Sequence, residues 1–119
     1  MRKFETGATR DEDATKPDYE AFLSPLVVES YGAYMNKHRV QADGQVRAGD
    51  NWQKGFGENH QDVCIKSLWR HFLDLWFIHR GYVRKDPKDG HAITLEEACN
   101  AILFNVMAIL HVKLKGEQK

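Results

Sequence analysis

Val63-Cys-Ile-Lys-Ser-Leu-Trp-Arg-His-Phe-Leu-Asp-Leu-Trp-Phe-Ile78 is an apolar run that carries Ser67, Arg70, His71 and Asp74 within it. Read as a helix, it sets Ser67, His71 and Asp74 on one face, with Arg70 beside them. Ionisable groups on a core helix cost free energy unless they are paired or bind something. Two readings follow. Arg70 and Asp74 pair across one turn with His71 hydrogen-bonded in the core, or His71 and Asp74 point at one metal ion or ligand.

The helix starts near Asn59 and reaches His79; Gly81, after Arg80 in the last turn, is a stop signal. A third helix opens at Thr94-Leu-Glu-Glu97, a capping box in which Thr94 caps a backbone N–H and Glu97 reaches back, and it ends near Gly116. Its apolar residues go round most of the cylinder, which suits a central helix or an oligomer interface. Upstream, Ser24-Pro25 combines an N-cap with proline at the first helical position, and Leu26, Val27, Tyr31, Tyr34 and Met35 follow on one side of a first helix. Asp18 to Leu23 reads as a short helical turn. No period-two strand pattern and no internal repeat stands out. The expectation is one all-α domain over residues 1–119, with three main helices and long connecting loops. Residues 1–17 form a polar, irregular arm with an acidic patch at Asp11, Glu12 and Asp13. Residues 38–58 form a long loop in which Asp43-Gly44 marks a turn. A loop this long in a small domain is usually functional or disordered, and Trp52 and Phe56 argue that it packs on something.

Seventeen basic and seventeen acidic residues cancel, which removes the electrostatic footprint of a nucleic-acid backbone binder but not a local basic pocket for a small phosphorylated ligand. Cys64 and Cys99 sit in apolar helical runs and read as buried free thiols, in keeping with a reducing cytoplasm. No apolar run is expected to reach transmembrane length, and Met1-Arg-Lys-Phe-Glu5 lacks a signal-peptide core. Neither thiol looks placed for nucleophilic catalysis, and no serine sits in a nucleophile elbow.

Glu96 and Glu97 are first-turn acids favoured by the helix dipole, or carboxylates that complete a cation site opposite His71 and Asp74. Asn105 bridges helices or reads a ligand's polar edge. Asp50-Asn51-Trp52-Gln53-Lys54-Gly55 offers an amide, an aromatic ring and a lysine, the groups that hydrogen-bond a base edge, stack a base and hold a phosphate. Lys37, His38 and Arg39 add charge just upstream. The Thr6–Arg10 stretch, with one glycine, is a weaker phosphate-loop candidate.

Several blocks in order, Thr6-Gly-Ala-Thr-Arg-Asp11, Asp18-Tyr-Glu-Ala-Phe-Leu-Ser-Pro-Leu-Val27, Tyr34-Met-Asn-Lys-His-Arg-Val-Gln-Ala-Asp-Gly44, Asp50 to Gly55, Ser67 to Trp76, His79-Arg-Gly81 and Glu96-Glu-Ala-Cys-Asn-Ala-Ile-Leu-Phe-Asn105, resemble the N-terminal domain of the phage and bacterial dATP/dGTP diphosphohydrolases. The resemblance implies kinship with MazG-like all-α nucleotide pyrophosphohydrolases. These are oligomers, with helical bundles completed across subunits, that split the α–β phosphoanhydride of a nucleoside triphosphate with Mg²⁺ or Mn²⁺. Carried onto this chain, it implies a hydrolase of purine deoxynucleotides, phage-encoded and acting in the host cytoplasm. Asp74, Glu97 and His71 would hold the cation and serve catalysis, Arg70, Lys54 and Arg39 the phosphates, and Trp52, Asn51 and Asn105 the base or sugar. No nucleic-acid polymer and no membrane is expected as partner. The family's Glu-x-x-Glu and Glu-x-x-Asp pairs correspond to His71-x-x-Asp74 and Glu97-x-x-Asn100, so His71 and Asn100 stand where acids are expected. Fewer anionic ligands mean weaker Mg²⁺ binding, and the alternative is a nucleotide-binding protein that sequesters its ligand without turnover.

Overall fold

A computed structural model describes residues 2–3, 5–7, 9–10 and 15–118. The protein is all-α, and the described residues form four α-helices: α1 (Tyr19–Phe22), α2 (Pro25–His38), α3 (His60–His79) and α4 (Leu95–Glu117). The helix ends sit where local chemistry put them. Ser24 Oγ accepts from Val27 N–H, with Pro25 at the first helical position, and Thr94 Oγ1 accepts from Glu97 N–H at 3.1 Å. Gly81, at φ +83, follows the last turn of α3 in the left-handed region that glycine tolerates. Asp18 caps α1 through Ala21 N–H. The N-terminal arm is not wholly irregular. Arg2–Lys3 (β1) pairs antiparallel with Thr9–Arg10 (β2), Arg2 opposite Arg10, while the acidic patch at 11–13 lies outside the described residues.

α3 and α4 are the framework, an antiparallel pair joined by residues 80–94. The start of α3 meets α4 through His60, whose Nδ1 accepts from Phe56 N–H at 3.1 Å. Nε2 therefore carries the proton and donates to the carbonyl of Ala108 at 3.0 Å. The helices approach closely because α4 turns Ala98, Ala101 and Ala108 inward, opposite Cys64. α2 lies on α4, held by Asn100 Nδ2 donating to Ser30 Oγ at 3.0 Å. The long loop is built rather than loose. Its first part is a tight turn in which Gln41 N–H reaches Gln45 O at 2.8 Å and Gly44 takes φ +86. Two 3-10 turns follow, Asn51–Lys54 and Gly57–Asn59. Trp52 packs on α4 beside His111 (ring centroids 5.0 Å) and Phe104 (6.2 Å), and Phe56 stacks on His60.

The apolar faces are less filled than the sequence leads one to expect. Among the described residues, the fully shielded apolar side chains are Cys64 and the three alanines. Ile65, Trp69, Phe72, Leu73 and Trp76 of α3 are exposed, as are Leu103, Val106, Met107, Leu110 and Leu114 of α4 and Leu26 and Val27 of α2. Cys99 is only half-buried. The chain exposes 10036 Å², where a folded monomer of its mass is expected to expose roughly 6,600 Å². Its radius of gyration is 19.3 Å against about 13.5 Å for a compact chain of this length. Contrary to the expectation from sequence, α4 is by length and composition apolar enough to cross a membrane, a property that core helices of soluble proteins share.

Candidate functional site: an open, basic cleft

The C-terminal half of α2, the 39–56 loop, the middle of α3, the 84–93 hairpin and the first half of α4 enclose an open cleft of about 980 Å³. Of the residues singled out from sequence, Arg39, Asn51, Trp52, Lys54, Arg70, His71, Asp74, Glu97 and Asn105 line it, while Glu96 and Asn100 do not. α3 contributes the face that carries Ser67, Arg70, His71 and Asp74, as the helical spacing requires. α4 contributes Glu97 from its first turn. The loop brings Asn51, Trp52 and Lys54 through its 3-10 turn, which is fixed by the packing of Trp52 on α4.

Asp74 is the anchor. Its side chain is only 12% exposed, and its two oxygens have different partners: Arg84 Nε donates to Oδ1 at 2.9 Å, and His71 Nδ1 lies 3.4 Å from Oδ2. The expected Arg70–Asp74 pair is not made. Arg84 takes that place, with its guanidinium 4.5 Å above the Phe77 ring, while Arg70 is left exposed at the cleft without an ion-pair partner among the described residues.

Glu97 is also committed. The reciprocal half of the capping box gives way to a stronger partner, since the carboxylate lies 2.9 Å from His91 Nε2. The other ring nitrogen of His91 lies 2.5 Å from Asp89 Oδ1. Bonded to a carboxylate at both nitrogens, His91 is held above its ordinary pKa, first by Glu97 and then by Asp89. Asp89 is lowered, chiefly by the backbone N–H and then the side chain of His91. Tyr34, in the same cleft, is raised by burial and then by the charge of Glu97.

Not every expected residue works as a ligand group. Asn100 turns from the cleft to Ser30 and joins α4 to α2. Asn105 makes no bridge between helices; its Nδ2 donates to Ala101 O, four residues back on its own helix, at 2.8 Å. Glu96 is exposed and does not line the cleft. Sequence reasoning missed Arg84, Asp86, Asp89 and His91. The available signal was the density of charge in Arg84-Lys-Asp-Pro-Lys-Asp-Gly-His91, a short loop between the helices that carry Asp74 and Glu97.

The balance of charge is local. Seven Lys and Arg (Lys37, Arg39, Arg47, Lys54, Arg70, Arg84 and Lys88) line the cleft against four carboxylates (Asp74, Asp86, Asp89 and Glu97), although the whole chain is neutral. Of those seven, Arg84 alone is ion-paired among the described residues. Such a surface suits a polyanion.

Asp74, Glu97 and His71 all line the cleft, but among the described residues their ligand atoms are not gathered within 4.8 Å of one another. In this conformation both carboxylates are satisfied by side chains of the 84–91 segment. The ligand atoms that do lie within 4.8 Å of one another are those of Asp86, Asp89 and His91, with the His91 ring nitrogens already placed against Asp89 and Glu97. No family model, curated protein or solved structure compared with the chain matches it.

Proposed function

We propose that the cleft binds a purine deoxynucleoside triphosphate, and that the protein is a metal-dependent pyrophosphohydrolase converting it to the monophosphate and pyrophosphate. The observation that carries the reading is convergence. Nine residues chosen from three separate stretches of sequence line one basic cleft, and the sequence blocks that resemble the dATP/dGTP diphosphohydrolases supply them. A divalent cation, Mg²⁺ or Mn²⁺, held by Asp74, Glu97 and His71 would neutralise the triphosphate and lower the pKa of the attacking water. Arg70, Lys54 and Arg39 hold phosphate oxygens by charge-assisted hydrogen bonds. Trp52 and Asn51 meet the base and sugar.

The reading includes self-association. A chain that exposes roughly half as much surface again as a compact monomer would leaves apolar faces for a second copy. A homo-oligomer in the cytoplasm, that of the host if the protein is phage-encoded, is the setting this implies, with no membrane and no nucleic-acid polymer as partner.

A second reading is binding without turnover, in which the protein sequesters a nucleotide. It is favoured by one observation: Asp74 is already paired with Arg84 and Glu97 already hydrogen-bonded with His91. Incubation with dGTP and dATP in Mn²⁺, followed by anion-exchange separation of the products, decides between the two. Monophosphate with equimolar pyrophosphate supports hydrolysis. Intact nucleotide recovered bound to the folded protein supports sequestration. Intact nucleotide with no binding rejects both.

A further inference from the structure

The turn that follows α2 sets two arginines opposite each other with no acid paired to either. Val40 and Val46 form an antiparallel bridge, flanked by Gln41 N–H to Gln45 O at 2.8 Å and Arg47 N–H to Arg39 O at 2.9 Å. In that register Arg39 stands directly across from Arg47, on the same side of the hairpin, and both line the cleft. Like charges so placed destabilise a hairpin. The pair is nevertheless built in. The backbone N–H of Arg39 is taken by Asn36 O at the end of α2, and the guanidinium closes the hairpin in its stead: Nε donates to Arg47 O at 2.8 Å and Nη1 to Asn36 Oδ1 at 3.1 Å. Arg39 is thus half-buried and fixed by neutral acceptors alone. Its Nη2 donors, and the whole Arg47 side chain, take no partner among the described residues.

The wall that carries this pair presents no carboxylate to the cleft among the described residues. From α2 and the 39–56 loop its charged lining is Lys37, Arg39, Arg47 and Lys54, beside Trp52. The four carboxylates of the cleft come from α3, the 84–93 hairpin and α4, and each is engaged there. Asp74 meets Arg84, Asp89 and Glu97 meet His91, and Asp86 accepts from Lys88 N–H at 2.8 Å. Asp43, within the arginine turn, accepts from Gln45 N–H and does not line the cleft. The positive charge of this wall is therefore left for a ligand. An occupant that matches it carries several anionic oxygens in a compact group, as a phosphate chain does, and paired guanidinium donors suit such oxygens.

We propose that Arg39 and Arg47 are the phosphate clamp of the cleft, and that the clamp holds the phosphate chain of a nucleotide without a divalent cation. The arginines supply the positive charge themselves, whereas the ligand atoms of Asp74, Glu97 and His71 are not gathered to hold an ion among the described residues. The inference rests on the nucleotide reading of the cleft, adds Arg47 to it, and concerns binding rather than turnover.

The test uses the full chain and α,β-imido-dGTP, which resists cleavage at the α–β bridge, titrated by calorimetry in EDTA and again in Mg²⁺. The wild type is expected to bind in EDTA within about threefold of its affinity in Mg²⁺. Arg47→Gln is expected to weaken binding in EDTA about tenfold, because a charge-assisted contact is lost. Arg47→Lys, which keeps the charge without the fork, is expected to weaken it roughly threefold, and it carries the comparison if the glutamine variant fails to fold by circular dichroism. Lys115→Gln, outside the cleft, is expected to bind as the wild type does. Binding that requires Mg²⁺ overturns the cation-free clamp and leaves the nucleotide reading standing. So does a folded Arg47→Gln protein that binds like the wild type, or an equal loss in Lys115→Gln, which would make the effect one of net charge. A wild type that binds in neither condition overturns both.

Discussion

His91 joins the loop to α4 through Glu97: its Nε2 stands 2.9 Å from the glutamate Oε2, while Nδ1 faces Asp89. Both carboxylates favour the imidazolium, so His91 is raised above its ordinary value of 6.5. A raised pKa contributes stability that is full below the unfolded value and lost as pH rises through the folded one. Asp89, lowered from 3.8, contributes above its unfolded value and loses that contribution as pH falls through the folded one. The hairpin is expected to be held best between 3.8 and 6.5 and to loosen on the alkaline side. Ring resonances of His91 followed by NMR should titrate above 6.5, and His91→Gln should flatten the alkaline fall in stability. Titration at or below the ordinary value would remove this pair from the structure.

His60 is a structural histidine. Both ring nitrogens are bonded, and only 5% of the residue is exposed. His60→Leu leaves the Phe56 N–H without its acceptor and is expected to cost about 1–3 kcal/mol in urea denaturation. Gly55→Ala is expected to act on the same contact. Its φ is +75, and a Cβ there would lie 3.2 Å from His60 Nδ1, so a loss of roughly 1–2 kcal/mol is expected. Wild-type stability in both variants would show that the 56–60 turn is not fixed by this histidine.

The exposed stripe of α3 follows a four-three-four spacing, Ile65, Trp69, Phe72 and Trp76, which is the spacing of a helix-packing seam. Trp69→Glu combined with Trp76→Glu is expected to shift the protein to a smaller species in sedimentation equilibrium without loss of helical circular dichroism. An unchanged mass would move the self-association face elsewhere.

Asn100 occupies a position where an acid is expected, so Asn100→Asp looks like a repair. The structure argues the opposite. The side chain is 4% exposed and serves Ser30, not the cleft. The substitution should leave Mn²⁺ affinity unchanged and cost about 1–3 kcal/mol of stability, because a charge replaces a buried amide donor. A gain in Mn²⁺ affinity would return residue 100 to the cation site.

Local signals were legible in the sequence and tertiary ones were not. Ser24-Pro25, Thr94 and Gly81 act on atoms within a few residues, so their spacing sufficed to locate helix ends. The one-face arrangement of Ser67, His71 and Asp74 followed from helix geometry alone. Which cation meets Asp74 did not. Arg70 is one turn away in sequence, but Arg84 comes from the next loop, and only the return of the hairpin brings its Nε to 2.9 Å. Glu97 likewise leaves its capping box because His91 arrives from that loop. Exposure of Trp69 and Trp76 was hidden for a different reason: periodicity shows that a face is apolar, not what covers it.

The most direct test of the nucleotide cleft is a crystal structure of the full chain with α,β-imido-dGTP and Mn²⁺. The triphosphate is expected against Lys54 and Arg70, the base against Trp52, and the cation roughly 2.1 Å from a carboxylate oxygen of Asp74 or Glu97. Nucleotide bound outside the cleft, or within it with the cation touching neither carboxylate, would contradict the central claim.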